Sequence, residues 1–185
     1  MRSWVFAVAT VAACATSVRS RAPTSGRFDG TDGIAHTIVP ADREAYTAVV
    51  FFSTECHVLA VHDERVRDLA AEFAPRGVRF VAVDSEVGAQ IERDRAEAYR
   101  RGYPFPIVID RGGELARQLG AVYAGYVVVL DREGNIHYRG GIESDRVRLR
   151  EDRSPYLRDA LTDLLAGRTP RVAESKVLGC ALRLR

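Results

Sequence analysis

Cysteine is scarce in this chain, and so are lysine, methionine and tryptophan. Three cysteines in 185 residues are too few for a disulfide scaffold, which excludes the small cystine-rich protein classes. Arginine supplies almost all of the positive charge, and 27 basic residues nearly balance 25 acidic ones. The arginines alternate with Asp and Glu instead of forming a block, so no basic surface suited to nucleic acid is indicated. We therefore expect no nucleic-acid partner.

A long apolar run is also lacking. Residues 4–15 form an apolar stretch that falls short of the roughly 20 residues a membrane-spanning helix needs, and nothing later in the chain is long enough. This stretch follows Arg2 and precedes the polar residues 16–21, which is the order of charge, apolar core and small residues in a secretory signal. We predict that residues 1–15 are a signal peptide and that the protein is exported.

Two processing sites compete within the predicted signal peptide. Ala13-Cys14-Ala15 has the small-x-small pattern for cleavage after Ala15. Residues 11–14 (VAAC) instead resemble a bacterial lipobox, which would leave Cys14 as a lipidated first residue. The protein is then expected in the periplasm of a bacterium or on its membrane as a lipoprotein. A lipid on Cys14 is the only membrane attachment that we expect.

The rest of the chain has the composition of one compact domain, with 46% hydrophobic and 28% charged residues. Residues 16–35 are polar and rich in Pro, Ser and Gly without an apolar period, which predicts a linker. We expect the folded domain to span residues 36–168. An irregular C-terminal tail, residues 169–185, carries Cys180.

Apolar, β-branched runs alternate with helical patterns inside the predicted domain. Residues 47–52 (TAVVFF) and 78–83 (VRFVAV) have the character of buried parallel strands, and the apolar residues between them recur at helical spacing. The other predicted elements are a helix at 89–101, a strand at 107–109, a helical turn at 114–119, a hairpin of 126–130 with 136–138, and a helix at about 155–165. An initial strand-helix-strand unit followed by further strands and helices indicates an α/β fold.

Cys56 lies directly after the first long strand, at or just before the start of a helix. The free N–H groups and the dipole of a helix N-terminus stabilise a thiolate, which is the form of cysteine that attacks disulfides and peroxides. A protonated His57 would lower the pKa of the thiol, whereas Glu55 would raise it. We interpret Cys56 as a nucleophile with His57 as a possible tuning residue. The alternative is an inert buried cysteine that packs as a small apolar residue.

Several segments carry a family resemblance. They are residues 51–59 (FFSTECHVL), 78–84 (VRFVAVD), 103–110 (YPFPIVID), 115–122 (LARQLGAV) and 127–140 (VVVLDREGNIHYRG). In this order they resemble the redoxin branch of the thioredoxin-like superfamily, which includes the alkyl hydroperoxide reductase and thiol-specific antioxidant proteins. Residues 174–180 (ESKVLGC) are similar to a C-terminal Gly-Cys motif of some bacterial redoxin-like proteins. The resemblance implies a three-layer α/β/α fold with a central mixed sheet, and redox chemistry at Cys56.

The chain departs from the family patterns at the site itself. The CxxC motif is degenerate, because Leu59 stands where a second cysteine would close the internal disulfide. Gly125 stands where the family usually has a cis-proline beside the sulfur. The peroxidase branch has Pro-x-x-x-Thr-x-x-Cys, for which this chain has Val49 and Ser53. These departures leave open whether the reaction is thiol–disulfide exchange or peroxide reduction.

Cys180 is the other cysteine of the predicted mature domain. The 13 residue steps from Gly167 to Cys180 could extend about 43 Å at roughly 3.3 Å per residue, against a domain radius of gyration of roughly 15 Å, so Cys180 could reach Cys56. One hypothesis is that Cys180 resolves the oxidised form of Cys56. The other is a structural disulfide that fastens the tail, as the oxidising compartment of an exported protein would favour.

The expected function is therefore that of a thiol-dependent redox protein whose partners are thiol or disulfide proteins, or peroxides. The alternative is a non-catalytic thioredoxin-like binding module in which Cys56 is inert or permanently paired. A copper-type site at Cys56, His57 and His62 is disfavoured, because the copper-binding relatives of this fold use two cysteines and a distant histidine. We expect no metal and no cofactor.

Overall fold

The computed structural model describes residues 21–22, 26–40 and 43–185. The predicted signal peptide and Cys14 fall within residues 1–20, outside the described part of the chain. In the part that the structure describes, no helix is both long and apolar enough to cross a membrane.

A mixed five-stranded sheet forms the centre of the molecule. The strands of the chain are β1 (Phe28–Asp29), β2 (Ala35–His36), β3 (Tyr46–Phe52), β4 (Val78–Asp84), β5 (Ile107–Ile109), β6 (Val127–Asp131) and β7 (Ile136–Gly140). The order across the large sheet is β5-β4-β3-β6-β7, in which β3, β4 and β5 run parallel and β6 and β7 are antiparallel to their neighbours. The predicted parallel pair and the predicted hairpin are both confirmed.

Five α-helices of the described residues pack around this sheet. They are α1 (His57–Val61), α2 (Asp63–Phe73), α3 (Ile91–Arg101), α4 (Glu114–Leu119) and α5 (Tyr156–Leu165). Every residue of β3 from Thr47 to Phe52 is buried, which requires cover on both faces and explains its continuous apolar sequence. The arrangement is the predicted α/β architecture with a central mixed sheet flanked by helices.

The helix predicted after Cys56 is divided in two at His62. The backbone of His62 leaves the helical region (φ −92°, ψ 1°), and its N–H donates to the carbonyls of Leu59 and Ala60. The ring Nδ1 lies 2.8 Å from the Val58 carbonyl oxygen. His62 thus ends α1 with its side chain and begins α2, so two helices stand where the sequence predicts one.

The ordered domain begins earlier than the predicted start at residue 36. β1 and β2 form a short antiparallel pair, and Gly30 forms a β-bridge with Val108 of β5. Thr31 donates its N–H to the Ile107 carbonyl (2.9 Å), and its hydroxyl accepts the Ile107 N–H (3.0 Å). The segment expected to be a linker therefore covers the lateral edge of β5, whose backbone groups would otherwise lack partners.

The C-terminal tail has little regular structure, as predicted, but it is ordered along the sheet. Residues 174–184 contact in turn β7, the loop before β6, Cys56 in the loop after β3, the loop after β4 and the loop after β5. This is the order of the strands across the sheet, from one side to the other. The tail therefore crosses the whole edge at which the parallel strands end.

Candidate active site

Cys56 lies at this edge, between the end of β3 and the start of α1. Its backbone is extended (φ −79°, ψ 99°), and its sulfur accepts a hydrogen bond from the Leu59 N–H at 3.3 Å. The residue is therefore the N-cap of α1, as its position in the sequence predicts. Only 1% of its surface is exposed, so solvent hardly reaches the sulfur.

The structure brings Cys180 to Cys56. The side chain and the backbone N–H of Cys180 lie close enough to the Cys56 thiol to shift its pKa. Both cysteines are free thiols, with Cys56 buried and Cys180 partly exposed. The two sulfurs are thus within reach of one another across the tail contact, which the sequence offered as a hypothesis.

The pKa of Cys56 is raised above its ordinary value. Burial of the thiol is the main cause, and the neighbouring Cys180 thiol raises the pKa further. The N–H groups of Leu59 and Cys180 act in the opposite direction, because they stabilise the thiolate. The N–H groups at the helix start therefore lower the pKa of Cys56 as expected, but burial by the surrounding residues raises it by more. With the tail in place, Cys56 is a thiol at neutral pH.

The structure does not place the His57 side chain in any contact with the sulfur. His57 is the first residue of α1 and is exposed, and within the described residues it forms no hydrogen bond or ion pair. Its predicted tuning of Cys56 remains a prediction. Glu55 is directed to the tail, where its carboxylate lies 3.2 Å from the guanidinium of Arg183.

Backbone hydrogen bonds hold the tail across the thiol. Ala124 donates its N–H to the Cys180 carbonyl, Leu182 donates its own to the Val122 carbonyl, and both bonds measure 2.9 Å. Between them Tyr123 and Ala181 form an antiparallel bridge. Residues 180–182 thus pair with residues 122–124 as an added strand would.

Gly179 makes this pairing possible. A Cβ at this position would lie 1.8 Å from the Ala124 carbonyl oxygen, a distance that no pair of atoms tolerates. The glycine of the Gly-Cys motif is therefore required by the close approach of two backbones. The residue directly before Cys180 must be without a side chain.

Two anchors fasten the tail on either side of Cys180. On one side Ser175 receives the Gly141 N–H at 3.0 Å and lies 2.7 Å from the Tyr138 hydroxyl. On the other side Arg183 binds the buried Glu86 through its backbone N–H (3.2 Å) and its guanidinium (3.3 Å). The Arg183 carbonyl also accepts the Val87 N–H at 2.8 Å.

Two of the positions that depart from the family patterns, Leu59 and Gly125, lie next to one another. In the described residues no peptide bond is cis, and Gly125 adopts φ +82°. A Cβ on Gly125 would lie 3.9 Å from a methyl group of Leu59, which is itself buried. Ser53 donates its hydroxyl to Glu86 at 2.9 Å and accepts the Glu55 N–H at 3.3 Å. The Ser53 hydroxyl thus supports the carboxylate that anchors the tail.

Two other polar residues near this edge have structural partners. Asp110, which follows β5, accepts the N–H groups of Leu115 and Ala116 and so caps α4. His62 is buried, with its Nε2 3.6 Å from Glu143. Among the residues that the structure describes, no group of three or more His, Cys, Asp or Glu side chains is arranged to hold a metal ion.

A buried carboxyl pair lies next to the loop that holds Glu86. Asp84 and Asp94 are both fully buried and face one another, and burial together with the charge of Asp84 raises the pKa of Asp94 to about 7. Asp84 accepts the Glu86 N–H at 2.9 Å. The raised pKa favours the neutral form of Asp94, and the bond from the Glu86 N–H to Asp84 fixes the start of this loop.

Sequence reasoning missed Glu86, Arg183 and residues 122–124. Glu86 follows a predicted strand, as Asp84 does, and that position was an available signal for a functional carboxylate. Arg183 is one of many arginines, and residues 122–124 have no distinctive pattern. Both become significant only once the tail is placed against the domain.

Solved structures share this architecture. A hypothetical protein from Sinorhizobium meliloti matches with a TM-score of 0.79 at 23% identity, covering 92% of this chain and 97% of its own. An uncharacterized conserved protein from Geobacillus kaustophilus matches with a TM-score of 0.78 at 24% identity, covering 91% and 94%. A putative protein disulfide isomerase from Bacteroides thetaiotaomicron matches with a TM-score of 0.59 at 17% identity, covering 81% and 89%. These likenesses support the thioredoxin-like fold.

The sequence places the chain more closely. No curated protein matches it, but the model of the AhpC/TSA family matches residues 18–139, which is more than half of the chain. The matched region contains every strand of the sheet up to β7, together with Cys56 and the loop that pairs with the tail. The chain belongs to the AhpC/TSA family of thioredoxin-like redoxins, and its function in general is a redox function.

Proposed function

We propose that this protein is a thiol–disulfide oxidoreductase in which Cys56 is the nucleophile and Cys180 is the resolving thiol. The observation that carries the proposal is that the tail places Cys180 beside the Cys56 thiol, close enough to shift its pKa. A resolving cysteine must reach the sulfur that it attacks, and the tail anchors hold Cys180 on this side of the domain. A structural disulfide would use the same contact, so the reversibility of the bond decides between the two roles.

The reaction transfers two electrons from the protein to a partner disulfide. The Cys56 thiolate attacks one sulfur of the partner, forms a mixed disulfide and releases the other partner sulfur as a thiolate, which takes up a proton. The Cys180 thiolate then attacks the Cys56 sulfur, and the second partner sulfur leaves. The partner is reduced to a dithiol and the protein ends with a Cys56–Cys180 disulfide. In reverse, the same steps oxidise a partner dithiol.

The tail must move during this cycle. Cys56 is covered and its pKa is raised while the tail is in place, so the reduced, closed form attacks slowly. Displacement of the tail exposes the sulfur to water and removes the Cys180 thiol, and both changes lower the pKa. The Leu59 N–H, which belongs to the domain and not to the tail, then remains to stabilise the thiolate.

Peroxide reduction is the second candidate, and membership of the AhpC/TSA family favours it. A peroxide would convert the Cys56 thiolate into a sulfenic acid and an alcohol or water, and the Cys180 thiol would then form the same disulfide with release of water. The strand-like pairing at residues 122–124 favours disulfide exchange, because that edge holds an extended chain beside the sulfur. A small peroxide has no backbone that could pair with such an edge.

Mass spectrometry of the oxidised protein tests the proposal. The full chain is treated with glutathione disulfide or with one equivalent of hydrogen peroxide, digested, and examined for a Cys56–Cys180 peptide pair. We expect the bond to form with glutathione disulfide and to open with dithiothreitol. In Cys180→Ser the glutathione adduct on Cys56 should accumulate instead, and Cys56→Ser should give neither product.

Three other results are informative. A bond that forms but withstands dithiothreitol in the folded protein would assign a structural disulfide. A Cys56 that reacts only on unfolding would assign the non-catalytic binding module. A bond that forms rapidly with hydrogen peroxide but not with glutathione disulfide would assign peroxide reduction.

Export is part of the proposal. An oxidising compartment would supply the disulfides with which a tail-bearing thiol protein reacts. Fractionation of a bacterium that expresses the full chain should recover the protein outside the cytoplasm, and the mass of its first peptide should show cleavage after Ala15 or a lipid on Cys14. Recovery of the uncleaved chain in the cytoplasm would overturn this part alone.

A further inference from the structure

We propose that the groove filled by the tail is the substrate site, and that it selects an extended segment of the form Gly-Cys-x-apolar-basic in a partner protein. This inference rests on the proposed function and adds the sequence that the site recognises. The tail itself, Gly179 to Arg183, is then an internal competitor with the same pattern as the substrate.

The first step of the argument is the backbone edge. Residues 122–124 lie outside the strands of the sheet, and the tail supplies their cross-chain backbone partners through Ala124, Val122 and the bridge at Tyr123. An extended segment from any chain could form the same bonds, because they involve backbone atoms alone. If the tail left, the N–H of Ala124 and the carbonyl of Val122 would be free beside the thiol.

The second step is that the positions along this groove differ in the side chains that they can hold. The position before the cysteine admits only glycine, because the Ala124 carbonyl lies where a Cβ would be. The position after it, held by Ala181, is exposed and admits any residue. The next position, held by Leu182, is buried and joins the apolar core. Glycine and an apolar residue are therefore fixed by space and by burial.

The third step is the charge at the end of the groove. Arg183 has two carboxylates within reach of its guanidinium: Glu86 at 3.3 Å, which is buried, and Glu55 at 3.2 Å, which is exposed. A buried carboxylate needs a positive or hydrogen-bonding partner. When the tail leaves, Glu86 loses the Arg183 N–H and guanidinium and keeps the Ser53 hydroxyl. A basic residue in the partner would take over this position.

Because the tail and the partner compete for one groove, attack by Cys180 on the mixed disulfide is coupled to departure of the partner. The partner segment and the tail cannot both pair with residues 122–124, so the mixed disulfide holds the tail away. When the tail returns, it displaces the partner backbone and brings the Cys180 thiol to Cys56 in the same movement. Each attack then happens only when the attacking segment occupies the groove.

Activated peptides test this selectivity on the full chain. The protein is Cys180→Ser, which removes the internal resolving thiol, and the probe is the peptide Val-Leu-Gly-Cys-Ala-Leu-Arg with its cysteine carried as a disulfide to thionitrobenzoate. Attack by Cys56 releases the yellow thionitrobenzoate anion. Three matched peptides replace the glycine by valine, the leucine by aspartate, or the arginine by glutamate, and cysteine–thionitrobenzoate serves as the unselective probe.

We expect the parent peptide to react at least about tenfold faster than the valine and aspartate peptides, which is what the loss of one or two hydrogen bonds or of one buried side chain corresponds to. The glutamate peptide should be slower by about threefold to tenfold. Glu55→Arg should remove most of the preference for the arginine peptide over the glutamate peptide, because only the buried Glu86 then still favours a basic residue. Because Glu55 is exposed, this variant should still fold.

Equal rates for all four peptides and for cysteine–thionitrobenzoate would overturn the selectivity while leaving the proposed function intact. Release that stays absent with every probe, although circular dichroism shows a folded protein, would instead contradict the nucleophilic role of Cys56. Cys56→Ser, which lacks the attacking thiol, gives the background rate of thionitrobenzoate release. Rates that depend on the peptide but are unchanged by Glu55→Arg would overturn the assignment of the basic position.

Discussion

Two segments that the sequence presents as irregular, residues 26–36 and residues 174–184, are both bound to the sheet but in different ways. The N-terminal segment pairs with the lateral edge of β5 and brings no reactive side chain there. The tail lies across the strand ends and brings a thiol to a thiol. Both satisfy exposed backbone groups, so ordering alone does not identify a functional segment. What distinguishes the tail is that it covers a reactive group which has to be uncovered.

The largest effect is expected from Gly179→Val. The added side chain clashes with the Ala124 carbonyl, so the tail loses its pairing with residues 122–124, which is about 2 kcal/mol for two hydrogen bonds or a factor of about thirty. Alkylation of Cys56 by iodoacetamide at pH 7 should accelerate by about that factor, and formation of the Cys56–Cys180 bond should slow. Peptide mass spectrometry measures both.

Ala181→Val is the matched control for this change. It places a valine two residues away, at an exposed position. It should alter neither the alkylation of Cys56 nor the formation of the Cys56–Cys180 bond. If Gly179→Val left Cys56 as unreactive as before, the tail would not be what protects the sulfur.

A smaller effect is expected from Arg183→Ala. The guanidinium is about half exposed, so its ion pairs to Glu55 and Glu86 contribute only modestly to holding the tail. Alkylation of Cys56 should rise by about fivefold. Arg185→Ala, which removes a neighbouring arginine with no ion pair in the described structure, should leave the rate unchanged. If both variants raised the alkylation rate equally, the effect of Arg183 would come from its general charge and not from its specific bonds to Glu86 and Glu55.

The closed tail should also depend on pH through Cys56. Because the pKa of Cys56 is raised in the closed form, the stabilisation of that form is fully present below the ordinary thiol pKa of about 8.5 and is lost as the pH rises through the raised value. Hydrogen exchange at the Val87 N–H, which binds the tail, should therefore show extra opening above about pH 9 once intrinsic exchange is subtracted. Cys56→Ser should abolish this extra opening, and its persistence in that variant would assign it to another group.

The smallest effect on the thiol is expected at the N-terminal segment. Thr31→Val removes the hydroxyl that accepts the buried Ile107 N–H, which should lower the free energy of unfolding by about 1–2 kcal/mol in urea titrations. Alkylation of Cys56 in the folded protein should stay within about twofold of the parent rate. Thr31→Ser, which keeps the hydroxyl, should restore most of the stability. A large gain in alkylation would mean that the two segments are coupled.

The sequence was sufficient for the central sheet because burial on both faces leaves continuous apolar runs. β3, β4 and β5 are found where such runs occur, and α3 ends at residue 101 as predicted, followed by Gly102 in the left-handed region (φ +64°). β1 and β2 escaped prediction because two-residue strands have no period to detect. The break at His62 depends on a side-chain bond to Val58, which the spacing of apolar residues does not encode.

The candidate site was predictable only in part. Cys56 is marked by its place between a strand and a helix, which is local information. Its raised pKa comes from burial beneath a tail more than a hundred positions away, and no local pattern reports on that. The need for glycine at position 179 becomes clear only when the Ala124 carbonyl is seen beside it in the structure. The nucleophilic and resolving roles of Cys56 and Cys180 remain predictions that the experiments above address.

Anchoring on both sides of Cys180 has a consequence for competition with small thiols. A flexible tether already gives its end an effective concentration in the millimolar range, and fixing the chain on each side raises that value further. A free thiol would have to exceed this concentration to intercept Cys56 before Cys180 does. Loss of either anchor would therefore make the oxidation state of Cys56 follow the surrounding thiol pool instead of the protein's own tail.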